Sequence, residues 1–156
     1  KRDDVEFVIS ENYSNDETYD FIKSLNDPRI RLVRPKEQLP AGKNLEFAYL
    51  NATGEWQGHI GDDDILMASR FDVIDSILND NKQVATINTN CLRYYWDDYQ
   101  DQSKANTLIP GKFFTGSYEI LNGRKIAQEL LNSKGVHGGG SWLINKHIIS
   151  LVGSMY

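Results

Sequence analysis

Between Val5 and Asn88, short apolar runs of strand character alternate with stretches of helical period. This alternation restricts the fold more than any other feature of the chain. Val5–Ile9 has β-branched residues and reads as a buried strand, followed by a polar loop, Ser10 to Thr18, rich in turn formers and helix caps. A helix is expected over Glu17–Leu25, with Phe21, Ile22 and Leu25 as its apolar positions and Asn26-Asp27-Pro28 as its stop. Ile30–Val33 is a second strand, and Pro35, Pro40 and Gly42 punctuate the loop after it. A helix over Asn44–Leu50 stops before Gly54, and Trp56–Ile60 is a third strand. Ser69 is expected to cap a helix from Arg70 to Asn79, whose stripe is Phe71, Ile74, Ile77 and Leu78; Val84–Asn88 is a fourth strand. Units this short suit parallel crossovers, so the expected class is α/β: a mainly parallel, Rossmann-like sheet flanked by helices.

The second half is less regular. Leu92 to Asn106 mixes aromatics with acids and reads as a strand followed by an exposed loop. Gly123–Leu131 has an amphipathic helical pattern, Gly135 to Trp142 is a glycine-rich flexible segment, and Lys146–Val152 is a final short helix ending at Gly153. Neither a repeat nor a low-complexity linker interrupts the chain, and one domain over residues 1–156 is expected.

Composition narrows the function classes. Seventeen Lys and Arg against 22 Asp and Glu give a net charge of −5, which argues against broad nucleic-acid binding because that needs a basic face. A phosphorylated small molecule remains compatible, since a bound cation can supply the positive charge. Cys91 is the single cysteine, so neither a disulfide framework nor a cysteine-based zinc site is available. No apolar run approaches the roughly 20 residues of a membrane span.

The chemistry concentrates in Trp56-Gln57-Gly58-His59-Ile60-Gly61-Asp62-Asp63-Asp64-Ile65-Leu66. Three adjacent carboxylates repel one another, and a hard divalent cation bound through oxygen is one reason for a chain to tolerate them; a solvated acidic turn is the other. Ligands of open α/β sheets bind beyond the carboxyl ends of strands. Ser10-Glu11-Asn12 and the acidic triplet each follow a strand, so both groups are expected to face one crevice.

Four segments in this order resemble the inverting family-2 glycosyltransferases, which have a GT-A fold. Val8-Ile9-Ser10-Glu11-Asn12-Tyr13-Ser14-Asn15-Asp16-Glu17-Thr18 is similar to the family's V-D-D-x-S-x-D-x-T segment, and Asp27-Pro28-Arg29-Ile30-Arg31 to its D-x-R-I-R strand. Asn44, Ala48 and Ala52-Thr53-Gly54-Glu55-Trp56 resemble its N-x-x-x-x-x-A-x-G-E-Y stretch, and Ile60-Gly61-Asp62-Asp63-Asp64-Ile65-Leu66 its L-D-x-D-D-x-L metal motif. The resemblance spans Val5 to Leu78 and implies a metal-dependent transferase acting on a nucleotide-sugar. Family members also open with a strand and a P-T-Y-N loop and carry a general-base carboxylate further on. Neither has a counterpart here, so the resemblance implies an internal fragment.

By the same resemblance, Asp63 and Asp64 are the metal positions, for Mg²⁺ or Mn²⁺, and Asp62 is placed for the ribose or for groups around the metal. Gly61 stands where many relatives have the first Asp. Glu11, with Asn12 beside it, matches the acid that accepts from the nucleobase, most simply uracil of a UDP-sugar; the alternative is a turn cap. Lys43 is a diphosphate contact or a solvated lysine. His137 and Trp142 fall where acceptor-binding residues lie, for a saccharide or lipid-linked acceptor, although a lone His and a Trp beside Leu143-Ile144 also suit a structural role. Asp97, Asp98 and Asp101 lack a context that would identify a base. Two other readings stay open: a nucleotide-sugar-binding domain without catalysis, and a nucleotidyltransferase. The family setting implies a cytoplasmic location, at or near a membrane surface.

Overall fold

The computed structural model describes residues 2–89, 92–97, 100–110, 118, 120–125 and 142–152. Two compact units partition the chain: residues 1–57 with 144–156, and residues 58–143.

The first unit is built on a β-α-β element. Strands β1 (Phe7–Ser10) and β2 (Ile30–Val33) are parallel, paired Phe7 to Ile30 through Ser10 to Val33, and α1 (Thr18–Ser24) joins them. Helix α2 (Ala41–Asn51) packs against β1 and buries Tyr49. It begins before the expected Asn44. Pro40, with φ −56° and ψ 150°, occupies the cap position, so the chain enters the helix directly after the proline and takes Gly42 into the first turn. Strand β3 (Trp56–Gln57) pairs antiparallel with the second half of β7 (Trp142–Asn145), Trp56 opposite Asn145 and Gln57 opposite Ile144. Helix α4 (Lys146–Val152) follows at once, and Lys146 N–H donates to the Glu55 carbonyl at 2.7 Å.

The second unit contains α3 (Ser69–Asp80), β4 (Thr86–Asn88), and a hairpin of β5 (Leu92–Tyr95) and β6 (Thr107–Pro110). Ile74 and Ile77 of α3 and Ile87 of β4 are its buried apolar residues among those described. Ser69 does not cap α3; it is the first helical residue, and Ala68 precedes it without a side-chain cap. Strand β6 was not expected. Asn106, at φ 57°, reverses the chain and donates its N–H to the Tyr95 carbonyl at 2.8 Å, which starts the antiparallel ladder.

The class is therefore mixed α/β, but the mainly parallel sheet is corrected. Strands β1 and β2 are parallel, while β3–β7 and β5–β6 are antiparallel. Strand β3 is also shorter than the expected Trp56–Ile60. At Gly58 the Trp142 carbonyl oxygen lies 2.5 Å from where a Cβ would stand, so the backbone passes too close there for a side chain. Residues 123–125 are helical; the remainder of the helix expected to Leu131 lies outside the described residues. Among those residues no helix is long and apolar enough to cross a membrane.

Candidate functional site

In the first unit the carboxyl ends of the parallel strands carry the relevant side chains. The register pairs Ser10 with Val33, so the next residues, Glu11 and Arg34, are brought side by side. Glu11 N–H donates to the Val33 carbonyl at 2.9 Å, extending the ladder by one bond. The Glu11 side chain is only 1% exposed. Its Oε1 accepts the Ser14 N–H at 2.5 Å; its Oε2 accepts the Arg34 Nε–H and forms an ion pair with Arg34 Nη2. Burial pushes this carboxyl up, but the hydrogen bonds from Ser14 and Arg34 and the Arg34 charge outweigh it, and the group titrates below the usual glutamate value. The arginine is also seated on aromatic faces, 4.2 Å from the Tyr19 ring centroid and 5.3 Å from that of Tyr13. Glu11 thus spends its charge inside the protein.

Asn12 is committed in the same way. Its Nδ2 donates to the Leu39 carbonyl at 2.7 Å and its Oδ1 accepts the Leu39 N–H at 2.8 Å. Tyr13, held at φ 62°, turns the chain so that its hydroxyl meets the Pro35 and Lys36 carbonyls at 3.1 and 2.8 Å. Together these bonds fasten the segment that leads into α2. Ser10 Oγ donates to Asn44 Oδ1 at 2.7 Å, fixing the helix against the end of β1. Lys43, exposed on the first turn of α2, pairs with Glu46 at 2.7 Å.

In the second unit the acidic triplet forms a turn. Asp64 N–H donates to the Gly61 carbonyl at 3.3 Å, and Gly61 N–H donates back to Asp64 Oδ2 at 3.3 Å. Asp62, Asp63 and Asp64 are all exposed. A methyl group placed on Gly61 would stand 2.7 Å from Asp63 Oδ1 and 3.2 Å from Asp64 Oδ2. The carboxylates of Asp63 and Asp64 therefore converge over one residue that has no side chain to obstruct them. Among the described residues no group of three or more His, Cys, Asp or Glu is placed to hold a metal. A Mg²⁺-type cation that keeps waters and shares diphosphate oxygens needs only one or two carboxylates, so the pair at Gly61 suits it.

The other expected positions are less informative. Trp142 is half-buried in β7, with its carbonyl against Gly58; His137 lies outside the described residues. Asp97 is exposed, Asp98 is outside the described residues, and Asp101 is engaged by Lys104 and Ser103. Sequence reasoning overlooked Arg34. The signal was available: one residue past the end of each of two parallel strands stand an acid and a base.

The sequence profile described as Glycosyl transferase family 2 matches residues 1–152. No curated protein matches the chain significantly.

Proposed function

This chain belongs to glycosyltransferase family 2, and from that premise we propose that it moves a sugar from a nucleoside diphosphate donor, a UDP-sugar, to an acceptor hydroxyl with inversion. The observation that carries the metal-dependent part of this reading is the convergence of Asp63 and Asp64 over Gly61. These two residues would hold Mg²⁺ or Mn²⁺, which, when bound, supplies positive charge against a diphosphate leaving group. Asp62, exposed beside them, is assigned to the donor ribose. Lys43 is assigned to the diphosphate as a point charge; its partner Glu46 keeps it on the first turn of α2 until an anion competes for it. Asn12 acts by holding the segment through Leu39, and Glu11 by holding Arg34. Trp142 and His137 are assigned to a saccharide or lipid-linked acceptor. A GT-A-like donor half and a cytoplasmic site of action at or near a membrane surface belong to the same reading.

Calorimetric titration with UDP and GDP, each with and without Mn²⁺, tests it. The expected result is Mn²⁺-dependent binding of UDP that Asp63→Asn loses. Binding indifferent to Mn²⁺ and to Asp63 would reduce the triplet to a solvated turn. Metal-dependent binding without donor hydrolysis or acceptor-dependent transfer would leave a nucleotide-sugar-binding domain.

A further inference from the structure

Arg34 is the side chain that Glu11 holds. It directly follows β2, at the carboxyl end of the parallel pair, where α/β sheets receive their ligands. Its Nε donates to Glu11 Oε2, which also forms the ion pair with Nη2, while Nη1 has no partner among the described residues. The side chain is 38% exposed, whereas the Glu11 side chain that fixes it is 1% exposed. The guanidinium carbon lies over the rings of Tyr19 and Tyr13. The group is thus held by Glu11 and lies over two aromatic rings, and part of the side chain reaches solvent.

The charge state decides what that part can recognise. Glu11 already neutralises the arginine, so the pair carries no net charge and has little to offer a phosphate. A fixed N–H donor still gains from a neutral carbonyl oxygen, and it repels another N–H. Nucleobases divide along this line. Uracil and guanine present a carbonyl on the edge that distinguishes them, where cytosine and adenine present an amino group.

We propose that Arg34, locked by Glu11, is a specificity-determining residue that donates from Nη1 to the carbonyl edge of the donor's nucleobase and so selects uracil over cytosine. Glu11 is then a positioning residue, acting through Arg34. This inference rests on the nucleotide-sugar reading above.

Calorimetric titration of the 156-residue chain with UDP and with CDP, in saturating Mn²⁺, tests it. The readout is the ratio of the two affinities, which does not depend on the folded fraction because both titrations draw on one sample. Wild type is expected to prefer UDP by about tenfold or more, the value of one well-placed hydrogen bond. Arg34→Lys keeps a counter-charge for Glu11 but loses Nη1, and its ratio is expected to fall close to unity. Glu11→Gln/Arg34→Met leaves no charge buried and is expected to lose the preference likewise. A ratio retained in both variants, or an equal loss of both affinities, would mean that Arg34 only supports the fold, and would overturn the inference alone. A wild-type ratio near unity would also overturn it. Failure of wild type to bind either nucleotide would overturn the donor reading and this inference together.

Discussion

Glu6 and Thr53, far apart in sequence, are joined twice: Glu6 Oε1 accepts the Thr53 N–H at 2.5 Å and the Thr53 hydroxyl at 2.8 Å. The same oxygen takes the Gly54 N–H at 2.9 Å, and Oε2 faces Arg31 Nη2 at 3.4 Å. One carboxylate thereby ties the approach to β1 to the loop after α2 and to β2.

A pH dependence follows from this junction. Burial raises the Glu6 pKa, but the bonds from Thr53 and Gly54 and the Arg31 charge lower it further, so the folded value lies below 4.5. The folded state then binds fewer protons than the unfolded state in that range. Its contribution is present above the unfolded value and lost as pH falls through the folded one. Urea midpoints measured from pH 6 down to pH 3 should decline in wild type and decline less in Glu6→Gln. At pH 7 the variant should be destabilised by about 1–2 kcal/mol.

Gly61→Ala addresses the acidic turn. The new methyl meets only the ends of two flexible side chains, so thermal stability should change by less than about 0.5 kcal/mol. The Asp63 and Asp64 carboxylates must move apart, and Mn²⁺-dependent UDP affinity should fall about tenfold. Paired thermal melts and calorimetric titrations check both halves; unchanged affinity would refute the convergence as a metal determinant.

Gly58→Ala should behave in the opposite manner. Its methyl meets the Trp142 carbonyl oxygen at 2.5 Å and Leu143 Cδ1 at 3.3 Å, and the first of these is backbone. A loss of about 1–3 kcal/mol is expected, read by equilibrium denaturation.

Asn12→Ala removes both bonds to Leu39. The expected cost is about 1–2 kcal/mol, with faster amide exchange confined to the segment between Pro35 and Pro40. Exchange spread evenly over the first unit would contradict the clamp.

How far the sequence anticipated this differs from place to place. The β-α-β start was readable because Val5–Ile9 and Ile30–Val33 are apolar runs bounded by turn residues, and those signals are local. The antiparallel partner of β3 was not, since Trp56–Gln57 pairs with residues near Asn145 and no local pattern encodes so distant a partner. The Asn106 reversal was hidden in a stretch whose aromatics and acids favour no single period. At the site, the acidic triplet was visible as an anomaly of charge. Glu11 was visible as well, but its partner was not, because the pairing depends on the register between two separate strands. Once the strands are set parallel, the register makes Arg34 its neighbour.

The first unit is assembled from two distant stretches of chain. Beside the β3–β7 pairing, Lys146 donates its N–H to the Glu55 carbonyl at 2.7 Å and its Nζ to the Ala52 carbonyl at 3.1 Å, and Asn145 reaches Glu55 Oε1 at 3.3 Å. During synthesis, residues 1–57 emerge long before these partners exist. The Trp56–Gln57 edge must therefore wait unpaired while all of residues 58–143 are made, a delay of several seconds at about 5–20 residues per second. For that interval the nascent chain exposes an open strand edge, the kind of surface that chaperones protect and that pairs with the wrong neighbour when it is not covered.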